Sequence, residues 1–541
     1  MRKLLDAFNS LSPASKRLAA GGALFTGFFL LYGFTHDRIY AFDSLLYALA
    51  IRRPLEGRLF SALLSWNHFL WLPSLGLFFS GLRGAGFTGG PYAALQWWNT
   101  GVGALLLLAV YGLLSKFIHR NWALLISCLA GLSHVVWIRS TGGEPYLTGT
   151  LLAVAACRLL TDLPSRPGPA RLAAIAFLAG LAANIHIANV ILLPLAALAI
   201  ARRQGRESKV NALAVLLLGG LMLLPYVLFY DLATLHGLKE WLAWGSGQVN
   251  GQAPGESASG QFDLRFLKII PAGTYTLLQS FAAIPAGGQF SRLIVLIAAV
   301  GAGAWCAVNR VRQTINWPIV LPSLVFFAGL LIFFSVWQPG NLIYWASPFV
   351  FFVLSLALLF AARLQSPPGL RAAGAAAVLI LCLGVLNFQR AILPNREGKD
   401  VKPMVELCGA IKSATLPGGV ILISGHYGGF LKVGIPYFAE RQAVSLDLAI
   451  IQYYGTGRDP VQAVQTILNA CLERGIPVYM TDDVLLAKGE FGAWGVPAGR
   501  IEALLRSYRL AEVARLSNTE PGVLYRLERI PPGLSKKAVK E

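Results

Sequence analysis

Residues 34–79 read FTHDRIYAFDSLLYALAIRRPLEGRLFSALLSWNHFLWLPSLGLFF. The apolar runs inside it, LLYALAI, LFSALLSW and FLWLPSLGLFF, are broken every few residues by charge or proline. A spanning helix needs about 20 mostly apolar residues, so none of these runs spans comfortably. They suit amphipathic helices lying in the headgroup plane. The stretch therefore reads as a long loop, 36–92, that stays at a membrane surface.

The rest of the chain supplies the membrane. Of 541 residues 55% are hydrophobic and only 13% charged, with a mean hydropathy of +0.59. Soluble domains carry roughly 25% charged residues, so a surface of this size is dressed for lipid. About eleven spans are expected, near 18–35, 93–115, 122–138, 146–161, 171–185, 187–201, 211–230, 291–308, 318–336, 342–362 and 372–390. The fifth and sixth form one apolar run, split at Asn184-Ile185-His186 because its length suits two short spans better than one. The first run follows Lys16 and Arg17 without a small-residue cleavage site, and reads as a retained helix.

The net charge of +20 fits a positive-inside bias and attraction to anionic lipid. No basic stripe with interleaved aromatics points to nucleic acid. With the N-terminus inside, the short connections at 116–121, 158–171, 202–210, 309–317 and 363–371 are all basic and cytoplasmic. One segment dissents. The 36–92 loop, now outside, carries Arg38, Arg52, Arg53, Arg58 and Arg83, and an anionic ligand is one reason for that.

After residue 390 charges return and apolar runs shorten. Runs 420–425 and 477–483 read as strands, 461–475 as a helix and 523–529 as a closing strand. Residues 391–541 are thus expected to form a soluble α/β domain outside the cytoplasm, and 1–390 the membrane domain. Cys408 and Cys471 fall in it and could pair in an oxidising compartment, which spacing alone does not decide. The Gly-rich 425–444 stretch either touches an acceptor or is an ordinary strand–turn–helix.

In so apolar a chain the ionisable residues near the bilayer carry the information, because a charge at that depth costs at least about 2.5–3.5 kcal/mol. Asp43 sits among aromatic and aliphatic neighbours, where a carboxylate can serve as a base; its alternative role is a helix N-cap. Asp37, nearer the first helix, reads as a solvated charge. Asn67 and His68 lie in an aromatic surround from Trp66 to Trp71. Arg139 and Glu144 flank a Gly-Gly turn, as an interface salt bridge or as an acid beside a phosphate-binding arginine. Asn184, His186 and Asn189 line a cavity or glue helices. In the turn WQPGNLIYW, Trp337, Asn341 and Tyr344 could contact or stack on a sugar, or belong to an aromatic belt.

Over residues 15–390 this arrangement resembles the GT-C glycosyltransferases: one span, a long outer loop with an aspartate near its start, then ten or so further spans. The runs Phe42 to Tyr47 and Asn67 to Gly76, and the turn Trp337 to Trp345, are similar to bacterial members of that superfamily. The resemblance implies a multi-pass enzyme of the bacterial inner membrane that uses a polyprenyl-phosphate-linked sugar as donor and a glycan, lipid or protein as acceptor. It implies Asp43 as general base, Glu144 and His186 as supporting polar groups, and Arg139 with Arg52 or Arg53 at the lipid phosphate. Asp43-Ser44 departs from the paired acids of several branches, which leaves open whether a divalent metal is used. A flippase for a lipid-linked precursor would share the arginines but need no base at Asp43, and no internal repeat favours it. A non-catalytic assembly protein would leave the polar outer turns unexplained.

Overall fold

The computed structural model describes residues 12–52, 70–163, 167–202, 206–229, 234, 276–283, 317–337, 342–399, 401–425, 430–453, 459–487, 491, 496–516 and 521–530. Among the expected features, the 291–308 span, Arg53, Asn67, His68 and Asn341 lie outside the described residues. The chain divides into two compact units. One is helical and is built mainly from residues before Glu397; the other gathers Ile39–Arg52 and the chain from Gly398 onward.

Each remaining expected span falls on apolar helix. Pro13–Phe34, Pro91–Leu114, Tyr146–Thr161, Pro169–Ile185, Arg206–Phe229, Trp317–Trp337, Ala346–Leu359 and Leu370–Asn387 are the principal ones. By length and composition, four described helices can cross a membrane, or five when the bent pair Arg120–Leu132 and His134–Thr141 counts as one. That pair, expected as one straight span, bends by 63°. Ser133 between its halves is extended at φ −67°, ψ 148°, and its hydroxyl donates to the Ala130 carbonyl at 2.5 Å. Helix Pro169–Ile185 stops at His186, itself extended at φ −152°, so the break lies where the sequence places it. Leucines such as Leu213, Leu217, Leu221 and Leu228 stay exposed along Arg206–Phe229, as lipid-facing residues do.

Between these helices, small residues and buried amides make the contacts, because lipid tails are as apolar as leucine and give little hydrophobic drive. Asn387 is fully buried; its Nδ2 donates to the carbonyls of Leu132 and Phe281, both at 2.8 Å, and its Oδ1 accepts from Ala283 N. Gly103 lets helix Pro91–Leu114 close on His134–Thr141: a Cβ there would stand 2.2 Å from Ser140 Oγ and 2.9 Å from Ser140 Cβ.

The second unit carries a five-stranded sheet in the order β2-β1-β3-β5-β4. The strands are β1 Val420–Ile423, β2 Gln442–Ser445, β3 Val478–Thr481, β4 Tyr508–Arg515 and β5 Val523–Arg529. β1 pairs in parallel with β2 and β3, while β5 pairs antiparallel with β3 and β4. β1 and β3 are buried along their whole length, as parallel strands covered on both faces are. Val420, Leu422, Val478 and Met480 face one core with Val464, Leu468 and Ile501; Ile421, Ile423 and Tyr479 face another with Leu407, Ile411 and Ile435. Each such side chain contributes about 1.5–3 kcal/mol of burial. Helix Pro460–Glu473 is fixed by its ends: Asp459 accepts from Val461 N at 3.0 Å, and Gly475 takes φ +71°.

Cys408 belongs to one of these cores and Cys471 packs on the other, and both are free thiols. The sheet separates them, beyond the roughly 4.4–6.8 Å between Cα atoms that a disulfide spans.

Gly103→Ala tests the close helix approach. Overpacking of this kind costs about 1–3 kcal/mol, so the purified variant should unfold at a lower temperature than wild type. An unchanged transition would show that Ser140 yields without cost.

Candidate functional site

Within the helical unit, polar groups converge on the 142–145 turn. Helix Pro91–Leu114 presents Tyr92, Gln96, Asn99 and Thr100, all buried, at spacings that share one face. The Tyr92 hydroxyl donates to Asp37 Oδ1 at 2.7 Å. Gln96 Nε2 donates to the carbonyls of Asp37 at 2.9 Å and Thr141 at 3.0 Å. Asn99 Nδ2 donates to the carbonyls of Gly142 at 3.0 Å and Glu144 at 2.8 Å. The Thr100 hydroxyl is 3.0 Å from His36 Nε2, and burial holds that imidazole down to about 4, so it stays neutral near pH 7.

Asp37, expected as a solvated charge, is thus buried at 6% exposure. The reason is tertiary: helix Pro13–Phe34 ends at Thr35, and Asp37 N donates to the distant Thr141 carbonyl at 3.4 Å. Tyr92 then meets its carboxylate. The signal for this network was the polar set Tyr92, Gln96 and Asn99 inside an apolar helix, where unpaired polar groups are costly.

The turn itself holds an ion pair between Arg139 and Glu144, whose side chains are 11% and 3% exposed. It is a buried bridge, with little water at either side chain. Glu144 Oε1 and Arg139 Nε are buried with no hydrogen-bond partner among the described residues. Such groups are rare enough in folded proteins that each one calls for a partner of some kind.

Two residues on, Tyr146 begins an aromatic cluster around His186. Ring centroids lie 5.2 Å apart for Tyr146–His186, 5.7 Å for His186–Phe334, 6.4 Å for His186–Tyr344 and 5.2 Å for Tyr146–Tyr344. His186 Nδ1 accepts from Ala188 N at 3.2 Å, which leaves the neutral ring's proton on Nε2. The neighbouring Trp345 Nε1 is buried and lacks a hydrogen-bond partner among the described residues. Asn184 and Asn189 act as glue: Asn184 Nδ2 donates to the Gly180 and Met222 carbonyls, both at 2.9 Å, and Asn189 Nδ2 to Ala182 at 3.1 Å.

Beside this cluster runs an apolar groove of about 750 Å³, lined by Phe78, Trp97, Trp98, Leu105, Leu152 and Leu181 among others. Trp98, Thr148 and Ile185 in its wall are close in sequence to Asn99, Tyr146 and His186, and Trp98 Nε1 donates to Thr148 Oγ1 at 3.0 Å. A second cavity, about 480 Å³, lies toward the other ends of these helices among Leu113, Leu160 and Arg202, away from the ion pair.

Of the residues expected at the site, Arg139 and Glu144 are joined directly, and His186 and Tyr344 meet around Tyr146. Trp337 is the last residue of helix Trp317–Trp337. Asp43 lies half-buried in the first turn of helix Phe42–Arg52, within the sheet-bearing unit. Arg52, expected at a lipid phosphate, donates from Nη1 to the Tyr437 carbonyl at 2.7 Å. Among the described residues no group of three or more His, Cys, Asp or Glu side chains is arranged to hold a metal ion.

This succession of helices, with a sheet-bearing unit at its C-terminal end, has the fold of the GT-C glycosyltransferases. The chain is similar to ArnT from Cupriavidus metallidurans in the apo state, with a TM-score of 0.55 at 13% identity over 95% of this chain and 98% of that one. Against the same protein bound to undecaprenyl phosphate the TM-score is 0.54, at 12% identity over 93% and 97%. No protein-family model matches the chain, and no curated protein matches it in sequence.

A cycle of variants measures the ion pair. Arg139→Met or Glu144→Gln alone leaves one buried charge without its partner and should cost about 3–5 kcal/mol of stability, with the double variant recovering much of the loss. Additive losses would mean that the two side chains do not depend on one another.

Proposed function

We propose that the protein transfers a sugar from a polyprenyl-phosphate donor to an acceptor on the outer face of a bacterial cell membrane. The observation that carries this reading is the buried Arg139–Glu144 pair, with unmatched Arg139 Nε and Glu144 Oε1, close along the chain to a lipid-sized aromatic groove. ArnT, which shares the fold, binds undecaprenyl phosphate. Here the prenyl chain takes the groove and the phosphate takes the free edge of Arg139, whose guanidinium suits phosphate oxygens. Tyr344, half-buried in this cluster, stacks on the sugar, and His186 supports it from within the cluster.

The acceptor oxygen attacks the anomeric carbon from the side opposite the phosphate, so the configuration inverts. The bond from that carbon to the phosphate oxygen breaks, its electrons leave with the phosphate, and the acceptor proton passes to the Asp43 carboxylate. Phosphate is a good leaving group, so a positioned base and a cation on the phosphate suffice. The soluble outer domain, 391–541, carries the sheet and lies on the acceptor's side of the membrane.

The test is release of polyprenyl phosphate from a panel of radiolabelled polyprenyl-phosphate sugars, with membrane extract as acceptor source, by wild type and Asp43→Asn. Wild type should release it from at least one donor, and the variant should lose about 100-fold or more. Release from no donor would overturn the transferase reading, and equal release by both proteins would remove Asp43 as the base.

A further inference from the structure

Helix Phe42–Arg52 has 11 residues. Isolated helices that short are marginal in water, so its orientation is set by what it packs on. It packs on Phe430–Gly434 and Ile435–Ala439 of the sheet-bearing unit, with Leu45, Tyr47 and Ala48 buried.

Both ends of the helix are tied to one short segment, 437–440. At the C-terminal end Arg52 Nη1 donates to the Tyr437 carbonyl at 2.7 Å, the guanidinium carbon stands 4.8 Å from the Tyr437 ring centroid, and Nη1 is 4.0 Å from Glu440 Oε1. A charged donor strengthens the first contact and the ring face adds to it. Glu440 sits at φ +57° and also pairs with Lys412 at 3.2 Å. Just before the helix, Tyr40 takes φ +47° and sets its ring edge-on to Phe438 at 5.1 Å; Phe438 stacks on Phe430 at 6.1 Å. A tyrosine in the left-handed region persists only where its surroundings over-determine it.

We infer that the sheet-bearing unit is the positioning element of the Asp43 helix, and that Arg52 is a positioning residue that anchors this helix to Tyr437 and Glu440. The inference rests on the reading of Asp43 as general base. It assigns Arg52 a role different from a phosphate ligand, and it gives the C-terminal part of the chain a task in turnover. A displacement of about 1 Å at a reacting group can cost about 100-fold in rate, so a loosened helix should lower kcat while leaving donor binding intact.

The experiment uses the full chain in lipid nanodiscs: wild type, Arg52→Ala and Arg52→Lys. Two quantities are read, hydrogen exchange of the backbone amides in 42–52 and steady-state kinetics with the polyprenyl-phosphate sugar. Arg52→Ala should exchange faster in 42–52 but not in 91–114. Its kcat should fall about tenfold or more while KM for the donor stays within about twofold. Arg52→Lys keeps the charge over the Tyr437 ring and should restore much of kcat. Unchanged exchange overturns the inference, and so does a raised donor KM at constant kcat, which is the signature of a phosphate ligand. Should wild type transfer from no donor, faster exchange in 42–52 still upholds the anchor, and the transferase reading alone falls.

Discussion

A carboxylate and a guanidinium buried together in apolar surroundings constrain everything near them. Arg139 and Glu144 are almost out of solvent, and neither charge is tolerable there alone. The pair holds the start of helix Tyr146–Thr161 against the end of His134–Thr141. Asn99 then takes the carbonyls of Gly142 and Glu144, Gln96 takes Thr141, and Tyr92 closes on Asp37. Without that polar stripe the turn would carry buried backbone carbonyls with no partner, each costing about 1–3 kcal/mol. The chain uses its few polar residues where they satisfy this one turn.

The two halves of the proposed chemistry sit on differently built supports. Arg139, Glu144, His186 and Tyr344 are held by helix ends and ring contacts inside the helical unit. Asp43 is held by a short helix docked on the sheet-bearing unit. An element that its own sequence does not stabilise takes its geometry from its partners, and here Arg52 at its end meets Tyr437 and Glu440.

Much of the helical unit was legible because a spanning helix writes itself as about 20 apolar residues. The break at His186 was legible too, since three polar residues interrupt an apolar run. The 63° bend at Ser133 was not: a lone serine is common inside apolar helices, and only its backbone angles show the break. Strands β1 and β3 are legible as wholly apolar runs and β5 by its alternation, whereas β2, Gln442–Ser445, is half polar and β4 carries charges along an exposed edge. In the site, Glu144 and His186 stood out as expensive residues, but the depth of Asp37 depends on Tyr92 reaching it from 55 residues away, which no local pattern reveals. Nor could spacing tell that a sheet divides Cys408 from Cys471.

In the proposed reaction the aromatic groove and Arg139 together recognise a lipid carrying a phosphate. Binding of polyprenyl phosphate and of the uncharged polyprenol of equal length, measured side by side on the purified protein, tests it most directly. The phosphate form should bind about tenfold or more tightly, a gap of about 1.4 kcal/mol or greater. Equal affinity for the two lipids would contradict it: the groove would then hold an apolar chain, and the buried arginine would serve only its glutamate.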